Sequence, residues 1–121
     1  MYIKSIDLEN YRNYMKGTSY TDTIIGGNLK DNIMTMAGDD TVYAGAGNDT
    51  ITCPDGYSSG RKYIDAGTGN DSIQGGAQEN ETDTGSIYIG GLGSDTISAN
   101  KGNDTIYGDL ELNSTNDIET V

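Results

Sequence analysis

The stretch AGAGNDTIT, residues 44–52, returns as AGTGNDSIQ at 66–74, GGLGSDTIS at 90–98 and ANKGNDTIY at 99–107. Small residues, one Asp and one Ile recur in a fixed order, which marks an internal repeat. With the positions numbered one to nine, Asp falls at six and the aliphatic at eight. Four units then run without a break: GTSYTDTII (17–25), GGNLKDNIM (26–34), TMAGDDTVY (35–43) and residues 44–52. Position six is Asp22, Asp31, Asp40 and Asp49, then Asp71, Asp95 and Asp104 in the later copies. Position eight is Ile24, Ile33, Val42 and Ile51, then Ile73, Ile97 and Ile106. A degenerate unit, YSSGRKYID (57–65), has Ile64 at eight and Lys62 where Asp should stand.

The spacing breaks twice. From Asp49 to Asp71 is 22 residues, two units plus four, with CPDG (53–56) read as the insertion. From Asp71 to Asp95 is 24, two units plus six. The unit between opens at Gly75–Gly76, loops through QENETD and returns through SIYI. Its inward position is left open between Ile87 and Tyr88.

Within a unit, positions one to five are small or polar, and glycine accepts the positive φ of a tight turn. Positions seven to nine are β-formers: Thr-Ile-Ile, Thr-Val-Tyr, Thr-Ile-Thr. Side chains alternate along a strand, so the residue at eight faces one way and those at seven and nine the other. Each unit is thus a turn and a three-residue strand, and two units close a flattened coil of 18 residues. Stacked coils make two parallel sheets at about 4.8 Å per layer. The expected fold is all-β, a parallel β-roll (β-solenoid) of about five 18-residue coils over residues 17–108. Loop insertions are expected near 53–56 and 77–86. The core is Ile24, Ile33, Val42, Ile51, Ile64, Ile73, Ile97 and Ile106. Thr23, Thr41, Thr50, Thr96 and Thr105 at position seven read as outward strand formers. Position nine is too irregular for the flat threonine array of an ice-binding face.

The 121 residues suit one small domain. Only 33% are apolar, with no Phe or Trp, so a broad globular core is not expected. Eighteen Gly against a single Pro point to many turns. A net charge of −12 argues against nucleic acid and anionic membranes, and for solvation or cation binding. Acidic, glycine-rich chains are often disordered, but disorder requires no register and this chain keeps one. No apolar run approaches membrane-spanning length, so no membrane insertion is expected. The single Cys53 excludes an internal disulfide and reads as an incidental loop thiol. The start, MYIKSIDLENYRNYMKG, has no apolar signal core, so a Sec signal is not expected.

The units match G-G-x-G-x-D-x-U-x, and residues 17–108 resemble the RTX (repeats-in-toxin) family of calcium-binding nonapeptide β-rolls. The resemblance implies several Ca2+ ions, each held between one unit and the next but one. The implied ligands are Asp31, Asp49, Asp71, Asp95, Asp22, Asp40 and Asp104. Backbone carbonyls of the turns join them: Gly26, Gly27, Ala44, Gly45, Gly47, Ala66, Gly67, Gly69, Gly90, Gly91, Gly93 and Gly102. Calcium takes six to eight oxygens, and turn carbonyls serve as well as carboxylates. By alternate units, Asp31, Asp49, Asp71 and Asp95 share one edge and enclose three gaps. On the other edge Asp22 and Asp40 are placed to share one ion, and Lys62 follows. The Lys62 ammonium is expected either to contact Asp40 in place of an ion or to point into solvent.

With no His, Ser-His, Cys-His and His-zinc centres are excluded. The acids belong to the ladder rather than to a paired-carboxylate cleft, so no enzyme is expected. The thin aliphatic column is small against the backbone entropy of ordering the chain, so folding is expected to need the metal. The expected function is a calcium-dependent folding or structural module of a secreted bacterial protein. Its place would be extracellular or at the cell surface, reached by a non-Sec route. The alternative is a self-assembling subunit of an extracellular filament, matrix or adhesin. YIKSIDLEN (2–10) and LELNSTNDIETV (110–121) alternate apolar with polar, as strands do. They make 1–16 and 109–121 terminal segments that cap the roll or pair with a neighbouring chain. Calcium is the expected partner, nucleic acid is not, and self-association through the roll ends is left open.

Overall fold

A strand with one inward aliphatic between two outward residues is too short to stand alone, and it becomes stable by stacking. The computed structural model describes residues 13–54, 60–76, 85–99 and 102–108. The expectations for residues 1–12 and 109–121, for half of the first insertion and for most of the second, lie outside these. Among the described residues ten strands form: β1 (Asn13–Lys16), β2 (Thr23–Ile25), β3 (Asp31–Met34), β4 (Asp40–Tyr43), β5 (Thr50–Thr52), β6 (Lys62–Asp65), β7 (Ser72–Gln74), β8 (Ile87–Ile89), β9 (Thr96–Ser98) and β10 (Thr105–Tyr107). Successive strands alternate between two five-stranded sheets, ordered β1-β3-β5-β7-β9 and β10-β8-β6-β4-β2. Every pairing is parallel, so the chain winds as the expected β-roll. Among the described residues no helix is long and apolar enough to cross a membrane.

The register stacks position eight on position eight. Met15, Ile33, Ile51, Ile73 and Ile97 form one inward column. Ile24, Val42, Ile64, Tyr88 and Ile106 form the facing one. All but Ile106 are at most 1% exposed. Ile106, on the last strand of its sheet, is only half-buried and packs against the cluster from its end.

Three placements go beyond or against the sequence reading. Tyr88, not Ile87, fills the inward position of the looped unit. β1, from the segment expected to be terminal, adds Met15 to the core. Cys53 is not an incidental loop thiol. It is 2% exposed, belongs to the core cluster, and donates its amide to the Gln74 carbonyl at 2.9 Å. Thr35 makes the equivalent bond to Thr52, so Cys53 holds position one of its unit and the extra residues come after it.

Candidate metal centre

Each strand is entered through a turn, and the turns stack into two edges. On the first edge the amide of Thr68 donates to Gly45 and that of Leu92 to Gly67, each at 2.9 Å. These carbonyls are tied into the stack and retain a second lone pair. The turns are packed backbone on backbone: a Cβ on Gly69 would collide with the Gly47 carbonyl, and one on Gly93 with that of Gly69. Gly45 and Gly47, at positions two and four, hold φ of 105° and 117°. Both lie in the left-handed region that side chains disfavour. The glycines are there because neighbouring coils leave no room for anything else.

This stacking places the position-six residues in line. Asp31, Asp49, Asp71 and Asp95 follow one another along the first edge, each at most 3% exposed. The amide of Asp31 donates to Asp49 Oδ1 at 2.8 Å, that of Asp49 to Asp71 Oδ1 at 2.8 Å, and that of Asp71 to Asp95 Oδ1 at 2.9 Å. One carboxylate oxygen of each acceptor is thereby used in the ladder. The other oxygen has no such bond: Asp49 Oδ2 and Asp71 Oδ2 are buried without a hydrogen-bond partner among the described residues, and so is Asp31 Oδ1. Burial pushes the Asp49 carboxyl up to about 7 despite the Asp31 amide, with the Asp71 and Asp31 charges adding to the rise. Burial likewise takes Asp71 up to about 6, lowered by the Asp49 amide and raised by Asp95.

On the second edge the order is Asp22, Asp40, Lys62, Ser86 and Asp104; the same kind of bond joins every step but Asp40 to Lys62, where the Asp40 amide donates to the Arg61 carbonyl at 3.0 Å. The Asp22 amide donates to Asp40 Oδ1 at 3.0 Å, that of Lys62 to Ser86 Oγ at 3.0 Å, and that of Ser86 to Asp104 Oδ1 at 2.8 Å. Here Asp22 and Asp40 are answered from within the chain. The Thr18 hydroxyl reaches both oxygens of Asp22 at 2.8 and 3.0 Å, and the Thr18 amide donates to Oδ2 as well. Lys62 contacts Asp40 rather than solvent, with Nζ 2.9 Å from Oδ2. Burial raises Asp40 to about 6 against the pull of Lys62, which still leaves it ionised at neutral pH. Thr18 and Ser86 were not singled out from the sequence. Ser86 was recoverable by counting two residues back from Tyr88; Thr18 carries no signal beyond being polar in a turn.

The first edge fits a hard cation. A buried anionic oxygen with no donor is costly, and a bound metal ion, like a proton, removes the cost. Among the described residues no group of three His, Cys, Asp or Glu side chains could hold a metal ion, so side chains alone would not complete a site. Successive aspartates flank each gap with two carboxylates, and an ion there would complete its six to eight oxygens from turn carbonyls. The residues that would do so are the first-edge aspartates with carbonyls such as Gly45, Gly47, Gly67 and Gly69. A family model of the RTX calcium-binding nonapeptide repeat (4 copies) matches residues 25–52, 59–86 and 87–110. No curated protein and no solved structure matches the chain. The matched repeats cover more than half of the 121 residues and coincide with the stacked coils. The chain belongs to the RTX calcium-binding nonapeptide repeat family and is a calcium-binding structural β-roll for several Ca2+ ions.

Proposed function

We propose that this β-roll is a calcium-responsive folding module of a secreted bacterial protein, ordered by ions along the Asp31–Asp95 edge. The observation that carries the reading is the contrast between the Asp49–Asp71 pair of the first edge and the Asp22–Asp40 pair of the second. Asp49 and Asp71 each keep one buried oxygen without a donor, whereas Asp22 and Asp40 have theirs satisfied by Thr18 and Lys62. Without a cation, closing the roll desolvates a row of acids against one another. With one, the same closure assembles a set of oxygens that no single unit possesses. In this reading the module is non-catalytic and works outside the cell, where calcium reaches the 10⁻⁴–10⁻³ M range of weak extracellular sites.

The test is far-UV circular dichroism of the full chain during calcium titration after metal stripping. β-structure should appear cooperatively at roughly 10⁻⁴–10⁻³ M calcium. A stripped protein whose spectrum already equals the calcium-loaded one would overturn the proposal.

A further inference from the structure

The second edge holds a cation of its own. Lys62 Nζ lies 2.9 Å from Asp40 Oδ2 and 2.5 Å from the Gly38 carbonyl, and neither charged side chain is more than 1% exposed. A carboxylate from position six and a turn carbonyl are the oxygen types a calcium ion would use. The ammonium meets them with N–H donors, and it sits two units along from Asp40, where a second carboxylate stands on the first edge. The charge balance is the same in both cases: one ammonium against one carboxylate, or one divalent ion against two.

The turn that supplies these oxygens also has the shape of a metal-edge turn. Met36 at position two holds φ 64° and Gly38 at position four holds φ 106°. Gly45 and Gly47 hold 105° and 117° at the same two positions. A methionine enters the left-handed region only against its own preference, so the stack imposes this conformation. Gly60, the next position four on this edge, lies against the Gly38 carbonyl as Gly69 lies against that of Gly47. At the described positions this gap departs from those of the first edge in Met36 at position two and in Lys62 in place of an aspartate at position six.

We infer that the Asp40–Lys62 gap is a calcium position filled permanently by the chain's own ammonium, which closes the middle of the second edge without metal. The inference rests on the reading that position-six aspartate pairs hold calcium, and it assigns to Lys62 the part of an internal counter-ion. It also accounts for Ser86. Beyond the lysine, a neutral hydroxyl accepts the Lys62 amide bond that an aspartate accepts elsewhere.

The experiment compares calcium stoichiometry by equilibrium dialysis for the full chain, Lys62→Asp and Lys16→Asp. Lys16 is exposed on β1, so its variant matches the change of charge without touching the gap. Lys62→Asp should bind one ion more per chain than the unmutated protein, and Lys16→Asp none. A Lys62→Asp variant that folds in calcium yet gains no ion would overturn the inference. If that variant does not fold, crystals of the unmutated protein decide through calcium anomalous scattering. Peaks along the first edge with none beside Lys62 support the inference, and a peak between Asp40 and Lys62 overturns it. A chain that binds no calcium while Lys62→Asp binds one ion would sink the proposed function and leave this inference standing.

Discussion

The amide of Asp49 donates to Oδ1 of Asp71 at 2.8 Å, the length at which the Asp31 amide donates to Asp49, although 22 residues separate the first pair and 18 the second. The four extra residues fall in sequence between Cys53 and Gly60, in the unit that separates the two aspartates, and the aspartate ladder keeps its step. That regularity makes the two edges comparable by substitution. Asp71→Asn preserves an Oδ1 acceptor for Asp49 and removes charge from two gaps at once. Its calcium midpoint for β-structure, read by circular dichroism, should rise about tenfold or more. Asp22→Asn removes a carboxylate that Thr18 already satisfies, and its midpoint should rise by less than about threefold. Equal shifts would mean that ions are shared evenly between the edges.

Protons should partly replace calcium. Asp49 near 7 and Asp71 near 6 in the roll stand above the value of about 3.9 for an unfolded aspartate. Folding therefore takes up protons. The stability this linkage contributes is fully present below about 3.9 and is lost as pH rises through 6 and 7. Metal-stripped protein should gain β-structure as pH falls from about 7.5 to about 5, while its calcium midpoint moves to higher concentration. A β-signal that shrinks over that interval would contradict the burial of these two acids.

The glycine turns allow local backbone strain to be separated from coil-to-coil contact. Gly69 and Gly102 have similar φ, 131° and 125°. A Cβ on Gly69 would collide with the Gly47 carbonyl, whereas on Gly102 its nearest neighbour is Asp104 Oδ1 at 3.1 Å. Both alanine variants carry the left-handed penalty of about 1–2 kcal/mol. Gly69→Ala must also push two coils apart, and should lose more than about 3 kcal/mol in urea unfolding at saturating calcium. Matching losses would show that the turns do not touch.

The nine-residue register was legible because the aspartates and aliphatics are the residues that physics constrains most tightly. An inward position tolerates only apolar groups, and a backbone-on-backbone turn tolerates little but glycine. What escaped were places where the position is kept and the residue type departs. Met15 was hidden because its strand pairs Asn13, not an aspartate, with Asp31. Tyr88 stayed open against Ile87 because an aromatic stands where the other units have aliphatics. On the site, the aspartate rows could be read from parity alone, and so could the choice of Asp40 as the neighbour of Lys62. The satisfaction of Asp22 by Thr18 could not, because it depends on where individual oxygens end up, which spacing does not carry.

Cys53 reports on the same closure from inside the core. Burial raises its thiol above the ordinary value, only partly offset by the Thr35 hydroxyl, and the residue is 2% exposed. The reactive form of cysteine is the thiolate, so a water-soluble disulfide reagent must wait both for opening of the coil and for ionisation. In saturating calcium the labelling rate should fall at least about a hundredfold below that of the metal-stripped chain, where the thiol meets solvent freely. Because Cys53 stands at position one between β5 and β6, its protection requires the first-edge strand to be stacked on β7 and the second edge to have closed after it. Slow labelling should therefore appear at the same calcium concentration as the β-signal. Fast labelling in calcium with the β-signal complete would take Cys53 out of the core and return it to the inserted loop.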